Sequence, residues 1–179
     1  DHSSRRGGFA VERAFAQRLI ELNNRFYRLN AHSFSRTRQA PWPGWERALE
    51  IAGEHLGHGQ DDPDRPFRVF DLACGNLRFE AFLAEQADRP LELYGVDSCD
   101  ELAFEESGHA DAVTGFMYRK YDVLKALMDK SRGGAALLAD VPSADLSVCF
   151  GFMHHVPGVE LREGVLRMLL ARTRAGGIA

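Results

Sequence analysis

Residues 67–75 read FRVFDLACG, an apolar run that ends in an acid and passes at once into a turn of small residues. A second apolar run, LELYGVD, ends in Asp97, 22 residues after Gly75. A strand, a tight turn, a helix and a second strand tipped with a carboxylate form the first half of a nucleotide-binding βαβ unit, in which that carboxylate takes the ribose hydroxyls. This pair constrains the fold more than any other feature, because two strands joined by a helical crossover run parallel in one sheet.

The alternation continues along the chain. Hydrophobic periodicity predicts a strand over 67–72, a helix over about 77–88, a strand over 91–97, a helix over about 99–107, strands over about 115–122 and 145–151, and a helix over about 159–173. Strands alternating with helices give an α/β, doubly wound, Rossmann-like parallel sheet. The connection from Asp122 to Ala144 is long and is expected to include a short helix before Gly133 and Gly134. Gly176 and Gly177 are expected to end the last helix, with Ile178 opening a fifth strand. The sheet is thus expected to lack its C-terminal strands, the open readings being a fragment, omitted residues, or a second chain or accessory subunit over the strand edge.

Upstream, Val11, Phe15, Leu19, Leu22, Phe26 and Leu29 recur at three- and four-residue steps, the pattern of an amphipathic helix over residues 9 to about 30. Pro41 and Pro43 place AHSFSRTRQAPWPG outside helix interior, and a second helix follows over about 44–56. GHGQDDPDRP reads as a linker. The expected organisation is an N-terminal helical lid over 1–57, a linker over 58–66, and the Rossmann-like domain over 67–179.

With 179 residues, 45% hydrophobic and 27% charged, the chain suits one globular domain. No apolar run approaches the ~20 residues that span a bilayer, and DHSSRRGG lacks a signal-peptide core, so a soluble, cytoplasmic protein without membrane contact is expected. Cys74, Cys99 and Cys149 show no CxxC spacing, which argues against a disulfide framework or structural zinc. Residues 1–47 carry nine Arg against four acids, whereas residues 48–179 carry 13 basic against 22 acidic groups. Any polyanion contact therefore belongs to the N-terminal segment, unless its arginines simply line a solvated helix.

A dinucleotide fingerprint, GxGxxG, would put its glycines at Ala73, Gly75 and Arg78, and a long cation cannot serve where close helix packing is needed. The stretch Asp71-Leu72-Ala73-Cys74-Gly75-Asn76-Leu77 instead resembles the acid-x-Gly-x-Gly-x-Gly loop of class I methyltransferases that use S-adenosylmethionine (SAM), and the resemblance covers about residues 67–179. It implies that Asp71 engages the methionine ammonium, the other reading being a helix cap. Ala73, Cys74 and Gly75 would then let backbone approach the cofactor, with Leu77 as the larger departure. Asp97 and Ser98 would hold the ribose. Asp122 and Val123 would meet the adenine, and Phe150 or Phe152 would wall the methyl group.

FMHHVPG sets His154 and His155 beside the place where an acceptor would enter. They admit three roles: a general base, a metal pair, or a loop that shapes the pocket. Adjacent residues in an extended loop point apart and no third ligand is spaced for a metal, so no metal site is expected and pocket shaping leads. His55 and His58 are expected to face solvent.

Tyr27, Ala31, Phe34, Ser35, Thr37, Arg38, Pro41, Trp42 and Pro43 in FYRLNAHSFSRTRQAPWP resemble the N-terminal segment of tRNA wobble-uridine methyltransferases that esterify a carboxymethyl group, and the paired histidines are similar as well. That resemblance implies a lid from which Arg38 or Tyr27 reaches the methionine carboxylate, and methyl transfer to a carboxylate on a tRNA base. Trp42 is expected to anchor the second helix on the sheet. A small-molecule acceptor, or a non-catalytic scaffold motivated by Leu77 and the unfinished sheet, stands beside this reading.

Overall fold

The computed structural model describes residues 12–37, 40–56, 64–103, 111–129 and 138–179. Arg38, His58 and the Gly133-Gly134 break lie outside them, as do the side chains of Phe34 and Ser35. The strands are β1 (Phe67–Leu72), β2 (Leu91–Asp97), β3 (Val113–Lys120), β4 (Ala144–Val148) and β5 (Thr173–Ile178). The helices are α1 (Arg13–Thr37), α2 (Pro43–Leu56), α3 (Arg78–Gln86), α4 (Asp100–Ala103), α5 (Val123–Met128) and α6 (Val159–Arg172).

All strand pairings are parallel, in the order β3-β2-β1-β4-β5. The winding runs outward from β1 through β2 to β3, then returns to the other side of β1 for β4, so the topological switch point falls between β1 and β4. Alternate residues of β1 feed opposite faces. Phe70 and Leu72 join Val96, Val123, Leu124, Val165 and Met168 on one side, while Val69 joins Trp45, Phe79, Phe82, Leu93 and Leu146 on the other. Burial on both faces explains why the strands read as nearly unbroken apolar runs.

Several boundaries differ from the sequence expectation, among them the end of β4 at Val148 rather than at residue 151. Helix α1 continues to Thr37 rather than ending near Asn30, because no proline intervenes before Pro41 and Ala31 is buried with Cys99, Leu102 and Tyr27. Strand β3 starts at Val113, two residues early, and ends at Lys120. The largest difference is at β5. Helix α6 stops at Arg172, and Thr173 Oγ1 lies 2.8 Å from both the Leu169 carbonyl and Ser147 Oγ, so the strand begins five residues before Ile178. The glycine pair lies inside the strand and not at the helix end. Gly176 has φ +75°, and a Cβ on Gly177 would lie 2.8 Å from the Asp145 carbonyl oxygen, so the pair lets an irregular β5 press against β4.

At the amino end of the sheet, far from the loops that follow β1 and β2, Asp145 is fully buried. It accepts the Arg68 N–H at 2.9 Å and pairs with Arg65 at 3.0 Å and with Arg174. No helix among the described residues is long and apolar enough to cross a membrane.

Candidate functional site

The turn after β1 keeps a left-handed backbone at three alternate positions: Ala73 (φ 68°), Gly75 (φ 58°) and Leu77 (φ 59°). These are the positions at which the resembling loop carries glycine, so the backbone path is retained although two side chains now pay its steric cost of about 1–2 kcal/mol each. Neighbouring strands hold the path in place. Ala73 N and Cys74 N donate to the Val96 carbonyl at 2.8 and 3.1 Å, and Gly75 N donates to Asp97 Oδ2 at 2.9 Å. Leu77 compensates by burial beside Cys74, Phe116 and Tyr118.

Asp97 is therefore a loop anchor as well as a ribose candidate. Its Oδ1 accepts Cys99 N at 2.8 Å, so each carboxylate oxygen holds a backbone N–H. Burial pushes its pKa up, and the N–H groups of Cys99, Gly75 and Ser98 pull against that. Asp71 does not cap a helix. The N-cap of α3 is Leu77, without a side-chain hydrogen bond, and Asp71 Oδ1 has no partner at all. Behind the loop lies Glu80 in the first turn of α3, buried, with neither oxygen at hydrogen-bonding geometry to a donor. Burial raises the Cys74 thiol well above its ordinary value, with Glu80, Asp71 and Asp97 adding to it, which leaves Cys74 a protonated wall and not a nucleophile.

Asp122 caps α5, accepting Lys125 N on Oδ1 at 2.9 Å. Its Oδ2 accepts Asn24 Nδ2 from α1 at 2.7 Å, and Asn24 Oδ1 accepts Ser98 Oγ at 3.4 Å. Asn24 thus ties α1 to the tips of β2 and β3. Three residues on, Tyr27 Oη lies 2.8 Å from His155 Nε2. His154 and His155 do not point apart: the chain curls into a 3-10 turn over Met153–His155, and their rings sit 3.8 Å apart. Among the described residues no group of three or more His, Cys, Asp or Glu is arranged to hold a metal ion.

The aromatic anchor of α2 is Trp45 and not Trp42. Trp45 is 4% exposed against Phe79, Phe82 and Phe150, whereas Trp42 is 42% exposed at the cavity rim, near Gly151. Pro43 occupies the first position of α2, where a missing N–H costs nothing, so Trp45 falls in the first turn of the helix and faces the sheet.

One cavity of about 470 Å³ opens at the carboxyl ends of the strands. Tyr27, Asp71, Ala73, Cys74, Gly75, Asp97, Ser98, Asp122, Val123, Phe150, His154 and His155 all line it. Arg38 lies outside the described residues. Sequence reasoning missed Asn24, Trp45 and Arg78 in the lining. It also missed Glu80 behind the lining, although an acid one position from the apolar stripe Phe79, Phe82 and Leu83 is a readable signal. Arg78 donates to the Ala40 carbonyl at 3.2 Å and lies over the Trp45 ring, which joins α3 to the segment before α2.

No family model and no curated protein matches the sequence. Solved structures match it in shape. The plantazolicin methyltransferase BpumL, in complex with a triazolic desmethylPZN analog and SAH, matches with a TM-score of 0.54 and 16% identity, covering 90% of this chain and 54% of that one. A SAM-dependent methyltransferase from Geobacter sulfurreducens, in complex with S-adenosyl-L-homocysteine, matches with a TM-score of 0.49 and 19% identity, covering 83% of this chain and 53% of that one. One from Thiobacillus denitrificans, also with S-adenosyl-L-homocysteine, matches with a TM-score of 0.47 and 18% identity over 95% of this chain and 55% of that one. The chain spans about half the length of these structures. At such identity the likeness concerns architecture: the chain has an α/β fold with a five-stranded parallel sheet, the fold it shares with the methyltransferase BpumL.

Proposed function

We propose that this chain binds SAM across the tips of β1, β2 and β3 and transfers its methyl group to an acceptor entering beside β4. The observation that carries this reading is the convergence of Asp71 and Gly75 from the end of β1, Asp97 from β2 and Asp122 from β3 on one cavity at the carboxyl ends of the strands. The residues fit the cofactor. Asp97 brings a carboxylate to the cavity for a vicinal diol, Asp71 lines the cavity with a buried carboxyl suited to an ammonium, and Asp122 with Val123 flanks the space for the adenine. An acidic lining suits a cationic sulfonium.

When bound, the sulfonium supplies an electrophilic methyl group that passes to an acceptor lone pair and leaves a neutral thioether. The chain's own contribution is alignment and exclusion of water, from the left-handed loop below, Phe150 and Trp45 at the side, and α1 above as a lid. A carboxylate acceptor needs no base. An amine or hydroxyl acceptor would lose its proton to His155, which Tyr27 orients.

For the acceptor, the N-terminal resemblance and the excess of arginine over residues 1–47 support a carboxylate on a modified tRNA wobble uridine, reached in the cytoplasm. A small-molecule acceptor is supported by the cover that α1 places over the cavity through Asn24 and Tyr27. Calorimetry with SAM and S-adenosylhomocysteine tests the cofactor: no binding by the folded protein would favour the scaffold reading and reject the enzyme. Tritiated-methyl transfer into bulk tRNA or a small-metabolite extract divides the acceptors, and label confined to the metabolite fraction rejects tRNA.

A further inference from the structure

We infer that Glu80 and Asp71 form a buried carboxyl pair that holds a proton in the ligand-free protein and releases it to solvent when the cationic amino group of SAM binds, which makes Glu80 a positioning residue for the cofactor. The inference rests on the SAM reading above. Asp71 is 3% exposed and Glu80 5% exposed, and three of their four oxygens, Asp71 Oδ1 and both of Glu80, have no hydrogen-bond partner. Glu80 lies against Gly95, the β2 residue paired with Asp71 across the sheet, so the two carboxyls share one face of it. A Cβ on Gly95 would lie 3.3 Å from Glu80 Oε1 and 2.9 Å from Cys74 Sγ, so the glycine makes the room that this carboxyl occupies.

The titratable groups around the pair are acids or thiols. Asp97 faces it from β2 and Cys74 from the loop, while Cys149 faces Asp71 from the end of β4. Tyr118 on β3 faces Asp97 and Cys74. Two carboxylates this buried, with no cation among the charges acting on them, cannot both stay ionised. Burial raises Asp71 well above its ordinary value, with Glu80 and Asp97 adding to it. Burial also pushes Glu80 up to about 8, with its own backbone N–H pulling the other way and Asp97 adding to the rise. Of the two, only Asp71 lines the cavity. An ammonium on Asp71 replaces the proton as counter-charge, and the proton passes to bulk water. An apolar side chain beside Phe79, Phe82 and Leu83 would avoid the desolvation penalty altogether, so the acid at position 80 costs stability that binding recovers.

The test is SAM titration of the full chain near neutral pH in buffers of different ionisation enthalpy. About one proton is expected to leave per bound ligand, with affinity rising up to about tenfold per pH unit below pH ~8. The ligand's amino group titrates itself, so release is read as the difference between the wild type and Glu80→Gln, which is expected to bind while releasing about one proton fewer. Equal release by both proteins overturns the inference and leaves the SAM reading standing. No binding at any pH overturns both. Independently of ligand and variant, infrared spectra of the free protein, labelled in turn with 13C-aspartate and 13C-glutamate, are expected to show a protonated carboxyl at neutral pH, and its absence with both labels also overturns the inference.

Discussion

Tyr27 on α1 and His155 on the turn after β4, 128 positions apart, share a hydrogen bond of 2.8 Å and set their rings edge to face at 5.5 Å. With Asn24 on Asp122 and Ser98, this fastens α1 over the cavity at two polar points. The outer face of α1 meanwhile leaves Phe15, Leu22 and Leu29 exposed. These two contacts of helix α1 are polar, so its release would uncover the cavity.

Tyr27→Phe keeps the ring contact and removes one hydrogen bond, a loss of about 0.5–1.5 kcal/mol. Amide exchange in α1 should quicken while β1 to β4 stay protected, and SAM affinity should fall by up to about tenfold. Unchanged exchange in α1 would rule out the latch.

Ala73→Gly relieves a left-handed alanine. After subtracting the greater backbone entropy of glycine, a gain of about 0.5–1 kcal/mol is expected in urea unfolding. Leu77→Gly relieves the same strain but empties a buried site, for a net loss of at least ~1 kcal/mol. Loss of stability in both variants would show that the strain is absent.

Asp97→Asn leaves Gly75 N or Cys99 N without its carboxylate partner, which loosens the turn after β1 and the proposed diol site together. Calorimetry should show SAM affinity reduced at least about tenfold, with the far-ultraviolet circular dichroism unchanged. Retained affinity would remove Asp97 from the site.

Asp145 sets an acid limit on stability. Burial alone would raise its pKa, but the Arg68 N–H, Arg174 and Arg65 outweigh it and hold the carboxyl below its ordinary 3.8. The unfolded chain therefore takes up this proton at higher pH than the folded one. The contribution is fully present above 3.8 and fades as pH falls through the lower folded value. Thermal melts of Asp145→Asn should lie below wild type at neutral pH and converge toward it in acid. A constant offset would contradict this.

Trp45→Ala should cost about 3–5 kcal/mol, and Trp42→Ala under about 1 kcal/mol, in chemical denaturation. Similar costs would return Trp42 to the anchoring role.

Much of the architecture was legible because parallel strands buried on both faces read as apolar runs. Strands β1 and β2 fall on the bounds their residues predict, and Asp71, Gly75 and Asp97 meet at one cavity as their spacing requires. Where two local signals conflicted, the reading failed. A glycine pair marks a helix end or a bulge equally well, and only the closeness of Gly177 to the Asp145 carbonyl decides for the bulge. Trp42 and Trp45 are both aromatics near a proline, separated only by which of them the helix turns inward.

The sequence by itself determined the strand and helix alternation, the parallel sheet that follows from it, and the acids at the strand tips, since these depend on neighbours a few positions away. Tertiary structure alone decided that Asn24 spans Ser98 and Asp122, that Tyr27 meets His155, and that Glu80 is buried behind Asp71. The first two contacts join residues about 70 to 130 positions apart, and the third depends on the room that Gly95 leaves in a neighbouring strand. Local periodicity has no access to either, because partners of that kind are chosen by chain packing and by the cost of leaving a buried polar group without one.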